Sequence, residues 1–189
     1  MQEKKYHTGK VTLNYGEGVP NGLPLVLVHG SGSIWQDWST VIEHFSGSNH
    51  LFAVDLRGFG GSDRISGSYS ISTFTNDIAD FIKDVVPTPP ILVGHSLGAL
   101  ITIDLSSRYP DLVKAVVLED PPVSLQENLY QWEGWPYIEM ALEMMRKKTA
   151  RKEMTTRLIE EAGCSPAEAN RSARNLEKID LLRCSPSSV

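Results

Sequence analysis

Four short apolar runs divide the first 120 residues: Leu25-Val-Leu-Val28, Leu51-Phe-Ala-Val54, Ile91-Leu-Val93 and Ala115-Val-Val-Leu118. Each is continuous rather than alternating, the pattern of a strand covered on both faces, as in a parallel sheet. Between them lie amphipathic stretches of helical length, Trp35 to Phe45, Thr73 to Val86 and Leu97 to Tyr109, the last stopped by Pro110. Strand alternating with helix predicts a mostly parallel, doubly wound α/β sheet with right-handed crossovers. Ahead of the first run, Tyr6 to Tyr15 alternates weakly and is followed by Gly-Glu-Gly and Pro-Asn-Gly turns, which predicts an antiparallel hairpin at the sheet edge.

The pattern changes after Asp120. Pro121-Pro122 breaks it, and from Tyr137 onward the chain is rich in Glu, Met, Ala, Leu, Lys and Arg, all good helix formers. Ser165-Pro166-Ala167-Glu168 offers an N-cap serine, a proline at the first helical position and a glutamate at the third, so a helix is expected to begin there. The expected organisation is therefore a sheet-forming core over 1–120 and a helical segment with a tail over 121–189.

With 189 residues, 41% hydrophobic and 22% charged, the chain has enough apolar material for a sizeable core, and disorder is excluded as its main state. The net charge of −5 arises from residues 1–120, and no clustered basic face suggests nucleic acid. Only Cys164 and Cys184 are present, too few for a disulfide framework, and the N-terminus is polar. No run approaches the roughly 18 apolar residues of a membrane span. A cytoplasmic protein is expected. The histidines and cysteines are too scattered for a metal site, so neither metal nor cofactor is expected.

Candidate chemistry lies at the ends of the predicted strands. Gly94-His95-Ser96-Leu97-Gly98 joins the run Ile91–Val93 to a predicted helix, the strand–turn–helix setting of a nucleophile elbow. The five-residue pattern is short enough to recur by chance, and its position gives it weight. A serine on so sharp a bend is expected to be strained, with glycines where the chain packs too closely for a Cβ. Its hydroxyl would stand at the C-terminal sheet edge, with the Leu97 amide at the helix start as an oxyanion donor. His29-Gly30-Ser31-Gly32 ends the first buried strand at the same edge and offers Ser31 as the second donor, while His29 is expected to brace the loop. The spacing fits neither a phosphate loop nor a dinucleotide fingerprint.

Asp55-Leu-Arg-Gly-Phe-Gly-Gly-Ser62-Asp63 follows the strand Leu51–Val54. In this order and at about these intervals, the three motifs resemble those of the α/β-hydrolase fold family, over residues 10 to 120. The helical segment resembles that family's cap. Asp55 and Arg57 are expected to brace loops. The resemblance implies that Ser96 attacks a carbonyl, a histidine takes its proton, a carboxylate orients the histidine and water releases the acyl group. Epoxide hydrolases and haloalkane dehalogenases are similar around Arg-Gly-x-Gly but use aspartate at the elbow. Serine therefore implies an ester-like substrate (carboxylic ester, lactone or thioester), a small acyl compound held under the cap. Trp132, Trp135, Tyr137, Met140, Met144 and Met145 could line an acyl pocket, with plain packing as the simpler expectation.

The family order is serine, acid, histidine. Here the histidines are His7, His29, His44, His50 and His95, none after the elbow, and none looks like a base. Asp120, at the end of the strand Lys114–Glu119, is the candidate acid, with Glu119 a weaker one. The expectation is a chain lacking the family's C-terminal strands and the catalytic histidine. The alternative is a non-catalytic relative that binds a ligand or partner. In either case the strand Lys114–Glu119 would be an exposed apolar edge inviting self-association.

Overall fold

The structure, a computed structural model, describes residues 1–65, 69–122, 140, 143–144 and 147–176. Six strands, β1 (Gln2–His7), β2 (Thr12–Glu17), β3 (Leu23–Val28), β4 (Asn49–Val54), β5 (Ile91–His95) and β6 (Ala115–Glu119), form one sheet in the order β1-β2-β4-β3-β5-β6. β4, β3, β5 and β6 run parallel, and β1 and β2 are antiparallel to their neighbours. The four apolar runs all lie in this parallel part: Leu25–Val28 and Leu51–Val54 are buried and Ile91–Val93 buried or half-buried, whereas Ala115–Leu118, expected to be covered on both faces, is exposed among the described residues.

Side-chain alternation explains the continuous runs. Leu25, Leu27, Leu51 and Ala53 pack with Trp38 on the face covered by α1 (Ser39–Phe45). Val26, Val28, Phe52, Val54 and Leu92 face α2 (Ile71–Val85) and α3 (Leu97–Arg108), which contribute Phe74, Ile78, Phe81, Ile101 and Leu105. Helices on both faces make each central strand apolar on both sides. A turn of 3₁₀ helix, Trp35–Trp38, precedes α1, and Ser70 caps α2 by accepting from the Thr73 amide at 3.2 Å.

The hairpin is present, but its turn lies inside the stretch expected to be one strand. Thr8 Oγ1 accepts from the amides of Lys10 and Val11, and Gly9 takes φ 89°, so the chain reverses between Tyr6 and Tyr15. Gly16 and Glu17, expected to turn, belong to β2. Gly16 is needed because a Cβ there would lie 2.7 Å from the Trp35 ring.

In the helical segment, α4 (Arg151–Glu160) packs on α5 (Pro166–Leu176) around Met140, Met144, Met154, Leu158, Ala169 and Ala173. Met140 and Met144 thus serve packing rather than a pocket; Trp132, Trp135, Tyr137 and Met145 lie outside the described residues. The cap of α5 forms as expected, the Ser165 amide donating to Glu168 and the Glu168 amide lying 3.4 Å from Ser165 Oγ. No helix among the described residues is long and apolar enough to cross a membrane.

Candidate active site

Ser96 stands between β5 and α3 with φ 51° and ψ −112°, a left-handed conformation costly for a residue with a side chain. Close packing holds it there. A Cβ on Gly94 would lie 2.4 Å from the Gly98 carbonyl oxygen, and one on Gly98 would lie 2.0 Å from that of Val28. Both glycines are therefore obligatory: β5 must meet α3, and α3 must meet β3, backbone to backbone. The Ser96 amide donates to Glu119 O at 2.9 Å, fixing the elbow to the end of β6. The Ser96 carbonyl accepts from Ala99 and Leu100. The Leu97 and Gly98 amides belong to the first turn of α3, which has no intrahelical acceptor for them.

The loop after β3 packs directly on the elbow, since a Cβ on Gly30 would lie 2.9 Å from His95 Nδ1 and 3.1 Å from Ser96 Cβ. Ser31, the next residue, is exposed at this rim. Leu97 follows Ser96 directly and Ser31 follows Gly30, so the contact of Gly30 with the elbow joins two different strand ends. Asp120 follows β6 as Ser96 follows β5, the register pairing His95 with Glu119. It is exposed, adopts φ 46°, and makes no hydrogen bond or ion pair among the described residues.

Two buried side chains hold the loops around the elbow. His29 Nδ1 lies 2.7 Å from Gly30 O, and Nε2 lies 3.0 Å from the Leu56 amide. The amide can only donate, so Nε2 accepts and Nδ1–H donates to the carbonyl. Burial pushes the His29 pKa down, which agrees with this neutral form. Asp55 accepts from the Trp35 amide at 2.7 Å, the Gly61 amide at 2.8 Å and Asn14 Nδ2 at 2.9 Å. Arg57 forms a buried two-pronged pair with Asp77 of α2, at 2.5 and 2.6 Å. His29, Asp55 and Arg57 therefore brace loops, as expected from the sequence. Asn14, Ser62 and Asp77 complete the bracing; Ser62 belongs to the third motif, whereas Asn14 and Asp77, an acidic residue on the buried face of an amphipathic helix, stand outside any motif.

The other histidines are committed elsewhere. His50 Nε2 lies 2.9 Å from Glu17, at the opposite end of β4 from Asp55, and His7 Nδ1 accepts from the Gly9 amide. His44 sits edge-on to Phe45 in α1. His95 packs against Gly30. Among the described residues no side chain is hydrogen-bonded to Ser96 Oγ, and no group of three His, Cys, Asp or Glu side chains gathers as a metal site would require.

Residues 24–157 match the family described as the alpha/beta hydrolase fold. A 2-(acetamidomethylene)succinate hydrolase of Mesorhizobium japonicum is 34% identical over 117 residues, 62% of this chain and 42% of that protein. Epoxide hydrolase 1 of Caenorhabditis elegans is 31% identical over 126 residues, 64% of this chain and 31% of its own length. The chain thus spans less than half the length of either curated relative. An N-formylmaleamic acid deformylase of Pseudomonas putida S16 superposes with TM-score 0.77 at 19% identity, over 96% of this chain and 70% of that one, a likeness of fold.

Proposed function

The chain belongs to the alpha/beta hydrolase fold family, and from that premise we propose that it carries the nucleophile and oxyanion side of a serine hydrolase. The substrate class is a small acyl compound with an ester-like or N-acyl bond. The observation that supports this most is the elbow itself, a serine held at φ 51° between two glycines that tolerate no Cβ. Such strain persists only where the surrounding structure imposes it, and here it stands at the C-terminal end of β5.

Ser96 Oγ attacks the acyl carbon, and the Leu97 and Ser31 amides receive the charge that develops on the carbonyl oxygen. The leaving alcohol, thiol or amine departs with a proton, and water then releases the acid and restores the serine. Asp120, beside the elbow in register, is the acid in this proposal, available to orient a proton acceptor. None of the five histidines acts as that acceptor in the arrangement described, so the proposal covers the nucleophile, the oxyanion donors and the acid. Similarity to epoxide hydrolases is comparable to that with the succinate hydrolases, and the residue at the elbow favours acyl chemistry. An oxygen nucleophile whose acyl ester water can cleave suits a serine, whereas the resemblance places aspartate there in epoxide opening.

Intact-mass labelling with a fluorophosphonate, with and without added imidazole as proton acceptor, tests this proposal. A single adduct should form, accelerated by imidazole and absent in Ser96→Ala. A folded chain that stays unlabelled in both conditions, or a label that survives in Ser96→Ala, overturns it. The first of those results favours the non-catalytic binding relative.

A further inference from the structure

The residue that brings the end of β3 against the elbow also loosens the loop that follows. Gly30 must lack a side chain, since a Cβ there would lie 2.9 Å from His95 Nδ1 and 3.1 Å from Ser96 Cβ. A glycine leaves the peptide plane after it free to rotate at little cost, and that plane carries the Ser31 N–H. Among the described residues nothing accepts from this N–H. The carbonyl of the same plane is held twice, for Gly30 O accepts from His29 Nδ1 at 2.7 Å and from the Ser33 amide at 3.2 Å. The peptide is trans, and in a trans plane the C=O and N–H point in opposite directions.

We infer that His29 is a positioning residue of the oxyanion site: by holding the Gly30 carbonyl it turns the Ser31 N–H away from its own ring and fixes it as a donor for the substrate oxygen. The inference rests on the serine-hydrolase reading of Ser96 and names the side chain that aims one of its two donors. The ring is itself immobilised, being buried, edge-on to Phe59 at 5.4 Å, and bonded at Nε2 to the Leu56 amide at 3.0 Å. That amide selects the tautomer. A proton on Nε2 would face the Leu56 N–H, donor against donor, and leave a bare Nδ1 against the Gly30 oxygen, so both bonds would fail together. A main-chain group after β4 therefore decides whether the ring can hold a carbonyl after β3. The Ser33 bond closes a tight turn around Ser31 and Gly32 but is the longer of the two, and His29 supplies the stronger hold on the plane.

Two substitutions separate the ring's two bonds. His29→Asn keeps a donor near the place of Nδ1, and His29→Gln keeps an acceptor near that of Nε2. Each gives up one buried hydrogen bond, so their urea midpoints should fall alike. Imidazole-assisted fluorophosphonate labelling of Ser96 should nevertheless slow about 100-fold in His29→Gln, the scale of one lost oxyanion donor, and less than about 10-fold in His29→Asn. In proton–nitrogen correlation spectra the wild-type ring should carry its proton on Nδ1. After labelling, the Ser31 amide proton should move downfield in the wild type and in His29→Asn but not in His29→Gln. A ring proton on Nε2, equal slowing in the two variants, or a Ser31 amide that responds alike in all three proteins overturns the inference. A folded wild type that takes no adduct overturns the reading of Ser96 instead, and the position of the ring proton then decides on His29 by itself.

Discussion

The sheet ends in two edges of opposite character. β1 reads Gln-Glu-Lys-Lys-Tyr-His, and two of its side chains are tied to neighbouring elements: Lys4 Nζ lies 2.6 Å from Glu17 of β2, and the Tyr6 hydroxyl donates to Asp84 of α2 at 2.5 Å. β6 reads Ala-Val-Val-Leu-Glu and is exposed throughout. Lysines and charges along an edge discourage a foreign strand, and β6 has none within its apolar stretch. The difference teaches that, among the described residues, the two outer strands differ in side-chain character, polar and tied to neighbours in β1 and apolar in β6.

The largest expected effect concerns the anchor of the guarded edge. Phe81 is fully buried and meets the rings of Tyr15, Tyr6 and Phe52 at 4.9, 5.7 and 6.1 Å. Phe81→Ala should lower the unfolding free energy by about 3–5 kcal/mol in urea titrations, because a cavity opens beneath the hairpin. Tyr6→Phe keeps the ring contact and removes the hydroxyl bonds to Asp84 and the Asp80 carbonyl. It should cost about 1 kcal/mol, read from the same titration. A loss as large as that of Phe81→Ala would show that the polar tie, not the ring packing, secures β1.

The smallest effect is acid-dependent. Hydrogen bonds from Lys4 and His50 hold Glu17 below the usual glutamate range despite an opposing push from burial. A carboxylate lowered on folding contributes stability that is complete above its unfolded pKa, about 4.3, and lost as pH falls through the lower folded value. The stability difference between wild type and Glu17→Gln should therefore be full at about pH 5 and shrink towards about pH 3. A difference that grows on acidification would contradict the arrangement at this edge.

The central strands were legible because burial on both faces leaves an uninterrupted apolar run, and the elbow because its glycines are demanded by contacts of 2.0 to 2.4 Å that no other residue permits. The hairpin turn falls earlier than the hydrophobic pattern implies because a half-exposed edge strand alternates weakly, and its signal, Thr8-Gly9, rests on a side-chain cap rather than on that pattern. Asn14 and Asp77 gave little warning, since their partners lie 41 and 20 residues away in sequence. Asp120 is a candidate through its place at a strand end. Its left-handed backbone, φ 46°, is a property no local pattern announces.

The Asp55 carboxylate binds segments that all precede Ser96, from Asn14 through Trp35 to Gly61. In a chain made from its N-terminus, the loops that will receive the elbow can therefore be knotted together before the nucleophile is synthesised. The strained serine can then be received by loops already joined, while α3 and the end of β6, which fix it through Gly98 and Glu119, are added after it.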